Sequence, residues 1–351
     1  MKAKHIFQTA IAAAALLFGN DARAQDIHFS QFYLSPLTQN PALSGAQHDM
    51  RAVVNYKNQW QSIGSPYRTT GFSYDLGLNR KKGGKGFFAA GVNFFSDRAG
   101  DAKMGTAQGN LSLAYHVRMG GNSTLGGGLQ AGFAQRSITG SALQWGNQYD
   151  GSMYNAALPS NEPGAANFSY LDLGGGVLWN YDNRSGSSMV TDNHELKATL
   201  GAAMFHVTEP DYSFYGTGEK LYRKLVVHGN ALLSIPNSNV AFAPGFMYYR
   251  QGPAQEIYAG SLIRYTISQD SKYTGFKEGA AFSAGAFFRA KDALVISTLL
   301  EYSNYSLGLS YDVNVSSLQT ASNSRGGLEI ALRFVTPNPF QAGKGSRSSF
   351  N

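Results

Sequence analysis

The chain has 351 residues, enough for one large domain or two ordinary ones, and no cysteine, which excludes a disulfide framework, a thiolate metal centre and a lipid-anchoring cysteine. Charged residues make up only 15%, while 41 glycines, 20 tyrosines and 22 phenylalanines suit a β-rich wall better than a helical enzyme. The formal charge of +7 is modest, and the one dense basic cluster, Arg80, Lys81, Lys82 and Lys85 threaded by glycines, reads as a solvated turn; without a broad basic face carrying base-stacking groups, no nucleic-acid partner is expected.

Residues 1–24 have the layout of a secretory signal. Lys2 and Lys4 supply the basic region, Ala10 to Phe18 the short apolar core, and Ala22-Arg23-Ala24 the small residues before a cleavage point between Ala24 and Gln25. Removing that segment lowers the formal charge from +7 to +5. No later run of eighteen apolar residues exists, so no transmembrane helix is expected.

Residues 25–49 are too apolar for a floppy tail, yet Pro36 and Pro41 exclude both a strand paired on two sides and an uninterrupted helix. The segment reads as an irregular, ordered piece that packs against something built by the rest of the chain.

From residue 50 to 335 the dominant pattern is period two. In Thr106–Arg118, Leu111, Leu113, Tyr115 and Val117 oppose Gln108, Asn110, Ser112, His116 and Arg118, a division that a strand keeps on two faces and a helix scatters. The same alternation recurs at 51–57, 67–76, 86–95, Leu125–Arg136, Tyr170–Tyr181, 196–207, Lys224–Ile235, 240–249, 256–267, 280–289, 293–302, Tyr305–Asn314 and Leu328–Val335. That makes about fourteen strands of about ten residues, an even number long enough to cross a bilayer when tilted.

Tight turns at Met119–Ser123, Pro236–Asn239 and Ser303-Asn304 alternate with long loops at 137–168, 208–220 and 315–326. Short turns on one rim and long loops on the other are the layout of an outer-membrane barrel. The connections at 182–194 and 268–278 are long where this scheme expects short ones. Alternation alone also fits a secreted β-sandwich. Strand length, the export signal, and Tyr115, Trp179, Tyr181, Tyr302 and Tyr311 near the ends of apolar faces favour an all-β transmembrane antiparallel barrel in the outer membrane, its exterior against lipid.

In that barrel Arg118, Arg136, Asp172, Lys224, Glu256, Arg264, Glu329 and Arg333 face the lumen, as do Gly91, Gly128, Gly174, Gly260, Gly285 and Gly308, whose small size leaves room inside. The expected interior is polar and glycine-rich. Residues 25–49 then find their packing surface: residues 31–45 enter and constrict the lumen, with Gln31, Phe32, Tyr33, Pro36, Asn40, Pro41, Ala42 and Leu43 as the plug. Residues 336–351 form a polar tail.

No nucleophile elbow, phosphate loop or metalloprotease helix is present, and no cofactor is expected. His28, His48, His116, His194, His206 and His228 show no metal-ligand spacing among themselves. Ser112 and His116 share a face, which allows a barrel hydrolase with that pair toward lipid, although alternation produces such coincidences freely.

Two blocks carry a family resemblance. Gln25-Asp26, His28-Phe29-Ser30-Gln31-Phe32-Tyr33, Pro36-Leu37 and Asn40-Pro41-Ala42-Leu43 with Gly45 resemble the N-terminus of PorP/SprF-type proteins. Tyr311-Asp312-Val313-Asn314-Val315-Ser316-Ser317-Leu318 and Gly326-Gly327-Leu328-Glu329 resemble their far end, and Arg51 to Tyr56, Gln59-Trp60 and Pro66 fit between. The resemblance implies a non-enzymatic outer-membrane barrel of the type IX secretion and gliding apparatus. It implies as partners periplasmic secretion-ring proteins and lipoproteins, and a secreted adhesin or effector. Phe350 is penultimate rather than final, which departs from the aromatic terminus of many barrels. Asn40-Pro41-Ala42 is also similar to a plug motif of long-chain fatty-acid transporters, and implies as the alternative a channel for a hydrophobic or small solute gated by the N-terminal segment.

Overall fold

A computed structural model describes residues 26–336 except 62–64, 79–83, 101, 121, 140–142, 162–166, 184–195, 217, 269–278 and 317–321. The signal segment with its Ala24–Gln25 cleavage point, most of the basic turn (Arg80, Lys81 and Lys82) and the tail from 337 on lie outside those residues.

Fourteen strands follow one another: β1 (Met50–Gln59), β2 (Tyr67–Leu78), β3 (Gly86–Ala99), β4 (Met104–Arg118), β5 (Ser123–Ser137), β6 (Phe168–Asp182), β7 (Leu196–Phe205), β8 (Lys224–Ser234), β9 (Val240–Gln251), β10 (Ala254–Ser268), β11 (Ala280–Arg289), β12 (Ala293–Tyr302), β13 (Tyr305–Asn314) and β14 (Arg325–Thr336). Each pairs antiparallel with the next, and β1 closes on β14 from Met50↔Thr336 to Gln59↔Gly327. Closure leaves no unpaired edge. Every sequence-expected strand has its counterpart. Several run longer because pairing continues into the turn, as at Ala254↔Gln251, where Gly252 takes the positive φ (+56°) that a two-residue hairpin needs.

An even strand number puts the start of β1 and the end of β14 at one rim, termed here the near rim. The connections 138–167, 206–223 and 315–324 are at the opposite, far rim. The near-rim connections after β6 and β10 are long, as their sequence indicates, and fall largely outside the described residues.

The wall alternates sharply. Along β5, Leu129 is 72% exposed and its neighbour Gln130 only 6%. Leu113, Leu171, Val177, Ile296 and Leu309 likewise point outward. Aromatics flank this aliphatic band: Tyr115, Trp179, Tyr302 and Tyr305 toward the near rim, Tyr56, Tyr67, Phe133 and Tyr311 toward the far rim. An apolar belt with aromatic girdles is what a bilayer-spanning barrel requires.

Two sequence expectations change. The interior is not uniformly polar: Val226, Met247, Tyr249, Tyr258, Leu262, Phe287 and Val295, from β8 to β12, form a buried cluster with Ala203, Phe205 and Phe32. Apolar residues occupy both faces there because the inner face packs against the ring of Phe32. Ser112 and His116 face inward and are buried, not lipid-facing. Four residues along a strand set them about 13 Å apart, too far for a nucleophile and its base.

Candidate functional site

Residues 26–46 lie against the inward faces of the strands, and their own sequence shapes them. Three 3-10 turns, Phe32–Leu34, Pro36–Thr38 and Pro41–Leu43, follow each other. Pro36 and Pro41 open two of them, where a preset φ helps and a missing N–H costs nothing. Asn40, held extended before Pro41, caps the third by accepting from the Ala42 N–H at 2.9 Å. Thr38 Oγ1 donates to Ser35 O (2.7 Å), Ser44 Oγ to Pro41 O (2.9 Å), and Gln39 Nε2 to Phe32 O.

The first half of the segment meets charged and aromatic side chains near the far rim. The Glu329 carboxylate accepts from the backbone N–H groups of Ser30 (2.6 Å) and Gln31 (3.0 Å). Tyr258 Oη donates to Ser30 O at 2.7 Å, and Lys57 Nζ to His28 O at 3.2 Å. Ser30 Oγ donates to Asp312 (2.8 Å), which also pairs with Arg289 at 2.7 Å. Arg289 donates to His28 Nε2 at 3.1 Å, so that nitrogen carries no proton and the ring is neutral. Phe32 packs edge-on against Tyr258 and Phe287.

Asp26 is the outermost contact. Its carboxylate lies 2.6 Å from His206 Nε2 and 3.4 Å from Lys224 Nζ, while His206 Nδ1 stands 3.0 Å from Asp172. Burial disfavours both charges. Even so, His206 and then Lys224 hold the Asp26 carboxyl well below the usual carboxylate range, and Asp26 and Asp172 raise His206 to about 9. His206 takes a positive φ of 54°, uncommon outside glycine, directly after β7.

The second half meets glycines and amides of β2 to β8. A Cβ on Gly128 would lie 2.5 Å from Ala42 N, and one on Gly91 2.8 Å from Leu37 Cδ1, so the turns sit where the wall lacks side chains. By contrast, Gly260 and Gly285 are crowded by the neighbouring strand and give the segment no seat. Gln130 Nε2 donates to Leu37 O (3.4 Å), Asn40 Nδ2 to Val177 O (2.9 Å), and Asn40 Nδ2 lies 3.2 Å from His228 Nε2. His116 Nε2 contacts Ser44 O at 2.8 Å. Asp75 accepts from the Gly45 N–H (2.8 Å) and pairs with Arg51 (2.9 Å), which in turn donates to Leu43 O (3.2 Å). Arg51 and Asp75 are both buried.

Of the residues expected to line the lumen, Asp172, Lys224, Glu256 and Glu329 gather around the first half of the segment, Glu256 accepting from Tyr249 Oη at 3.0 Å. Arg136 donates to Thr106 (2.7 Å) and lies over Tyr212. Arg118 donates to Gly84 O at 2.9 Å. Arg264 and Arg333 share Glu301, at 2.7 and 3.1 Å, nearer the near rim. Among the expected segment residues, Gln31 donates to Glu329 O at 3.3 Å, Tyr33 stacks on Phe287, and Leu43 and Ala42 pack with Ala46 and Leu178. Sequence reasoning passed over Arg51, Asp75, Tyr258, Arg289 and Asp312 as site residues. Strand parity places all five on the inward face and was the available signal.

Two small cavities lie beside the segment among the described residues. One cavity, lined by Asp26, Asn93, Gln108, Asn110, Asp172 and His206, holds about 40 Å³, and a second near His28 and Thr38 about 20 Å³. Volumes of this size have room for no more than a few waters. Among the described residues no group of three or more His, Asp or Glu side chains is placed to hold a metal ion.

The profile of the family described as type IX secretion system membrane protein PorP/SprF matches residues 22–334. The chain belongs to that family. This PorP/SprF-family barrel is an outer-membrane protein, and membership implies secretion-system partners in general. Among solved structures, the Pseudomonas putida toluene transporter TodX is similar at 11% identity over 89% of this chain and 95% of its own (TM-score 0.44). BamA from Haemophilus ducreyi lacking POTRA domains 1–3 is similar at 11% identity over 82% and 71% (TM-score 0.41). CdiB from Escherichia coli is similar at 8% over 82% and 63% (TM-score 0.41). No curated protein matches the sequence.

Proposed function

We propose that this PorP/SprF-family barrel is a non-enzymatic component of the type IX secretion apparatus, closed by its own N-terminal segment. It anchors, or supports export of, a secreted surface protein while its near rim meets periplasmic secretion components. The far rim, with its long loops, faces the cell surface, so residues 46 back to 26 run outward from the periplasmic side. The observation that carries this reading is the seating of residues 26–46 on inward-facing groups of β1, β2, β4 to β6, β8, β10, β11, β13 and β14 and on His206. Residual cavities of about 20 and 40 Å³ are too small for a polypeptide or an aromatic solute. A wall so occupied offers rims and loops for docking rather than a conduit.

Pull-down from detergent extracts recovers secretion-machinery proteins on this reading, and a deletion strain loses a surface protein. Recovery of the barrel alone together with normal export in the deletion strain overturns it. On this reading the purified chain should be electrically silent in planar bilayers; steady flux of a small solute would favour the gated-channel alternative.

A further inference from the structure

We infer that the inner wall of the barrel is a peptide-binding site, with residues 26–46 as its resident ligand and a peptide segment of a partner chain as its second one. This rests on the reading that the segment closes the lumen, and goes further by asking what the wall recognises.

The wall meets the backbone of the segment at many points as well as its side chains. Glu329 takes the N–H groups of Ser30 and Gln31, and Asp75 that of Gly45. Gln251 Oε1 accepts from the Asp26 N–H at 3.1 Å. Tyr258, Lys57, Gln130, Arg51 and His116 meet the carbonyls of Ser30, His28, Leu37, Leu43 and Ser44. Groups that any peptide carries are thus read along the whole length. A wall that supplies side-chain donors and acceptors to backbone groups, beside pockets for particular side chains, has the chemistry of a peptide receptor, in which main-chain bonds give affinity and side-chain pockets give specificity.

Three pockets select the side chains. Asp26 enters the His206 and Lys224 pair, which takes an acid. Phe32 enters between Tyr258 and Phe287, above Gly245, which takes an aromatic ring. Asn40 reaches Val177 O and His228 beside Gly176 and Gly201, which takes a primary amide. The ligand class is therefore a peptide with an acid, an aromatic six residues later and an amide eight residues after that, and with prolines or other turn formers between.

The full-length chain tests this when a protease site is placed between Gln47 and His48 and cut after refolding. A fluorescent peptide of residues 26–46 is then titrated in. Saturable uptake to one peptide per cut barrel is expected, with none by the uncut protein. Affinity falls about tenfold in Glu329→Gln, the loss typical of a charge-assisted hydrogen bond. It falls at least as far for a peptide carrying Phe32→Ala and Asn40→Ala. Absence of uptake by the cut barrel, or equal uptake of a scrambled peptide, overturns the inference. A barrel that loses its heat-resistant fold on cutting also overturns it, since the segment is then structural core. Ion conduction by the uncut protein would instead overturn the closed-lumen reading beneath it.

Discussion

The two halves of the N-terminal segment are held by different physics. Residues 26–34 face β8 to β14, the adjoining β1 and the His206 corner, where carboxylates, a guanidinium and aromatic rings converge. Residues 37–46 face β1 to β8, where glycines make room and amides, two histidines and one buried ion pair do the gripping. The first half depends on a cluster of charges and on a ring in a pocket; the second depends on shape together with a single buried ion pair. A polar or apolar inner wall is therefore a local answer to the piece of chain lying on it, whereas the outer wall has one answer everywhere because lipid is the same everywhere.

The largest test of this contrast is Arg51→Leu, which strands the Asp75 carboxylate without its partner. Breaking a buried pair in this way costs roughly 3–5 kcal/mol. Hydrogen exchange should rise around Leu43 to Gly45 while Ser30 and Gln31 stay protected. Equal loss at both ends would show one cooperative unit rather than two. Phe32→Ala is the mirror experiment: emptying the aromatic pocket should cost about 3 kcal/mol and loosen residues 26–34 first, read as new proteolytic cleavage there.

Gly128→Val probes shape without touching charge. Its Cβ has no room beside Ala42, and overpacking of this kind costs about 1–3 kcal/mol. The measurable sign is displacement of a spin label at Ala46 with the far-rim end unmoved. If the label stays put, the glycine seats are not what positions this half.

The smallest effect is the pH dependence of the outermost contact. His206 is raised from its ordinary 6.5 to about 9, so its contribution is full below 6.5 and is lost as pH climbs through 9. Asp26 is held low, so its contribution is full above its ordinary 3.8 and fades as pH falls below that. Protection of residues 26–31 should therefore be greatest between about pH 4 and 6.5 and fall toward pH 10. Asp26→Asn should flatten this profile. An unchanged alkaline limb in that variant would assign the titration to another pair.

The sequence alone settled the wall. Period-two alternation, an even number of strands and tight turns at 119–123 and 303–304 indicate antiparallel strands with one aliphatic face, because each of these depends only on neighbours along the chain and on the solvent outside; closure into a barrel rather than a sandwich is decided by the pairing of β1 with β14. Family membership was legible in the same way, from blocks at the two ends. The irregular, proline-broken character of 25–49 was visible too, and so was the inward parity of Asp172, Lys224 and Glu329. Contacts such as Ser30 with Glu329 or Asn40 with His228, close in space but 299 and 188 residues apart in the chain, were not legible. Nor was the aromatic cluster around Phe32, since an apolar residue on an inner face looks like a break in the pattern until its partner is known. Only the closed barrel decides which inward groups converge, because circumference and strand register set those distances, and neither is written in any local stretch of sequence.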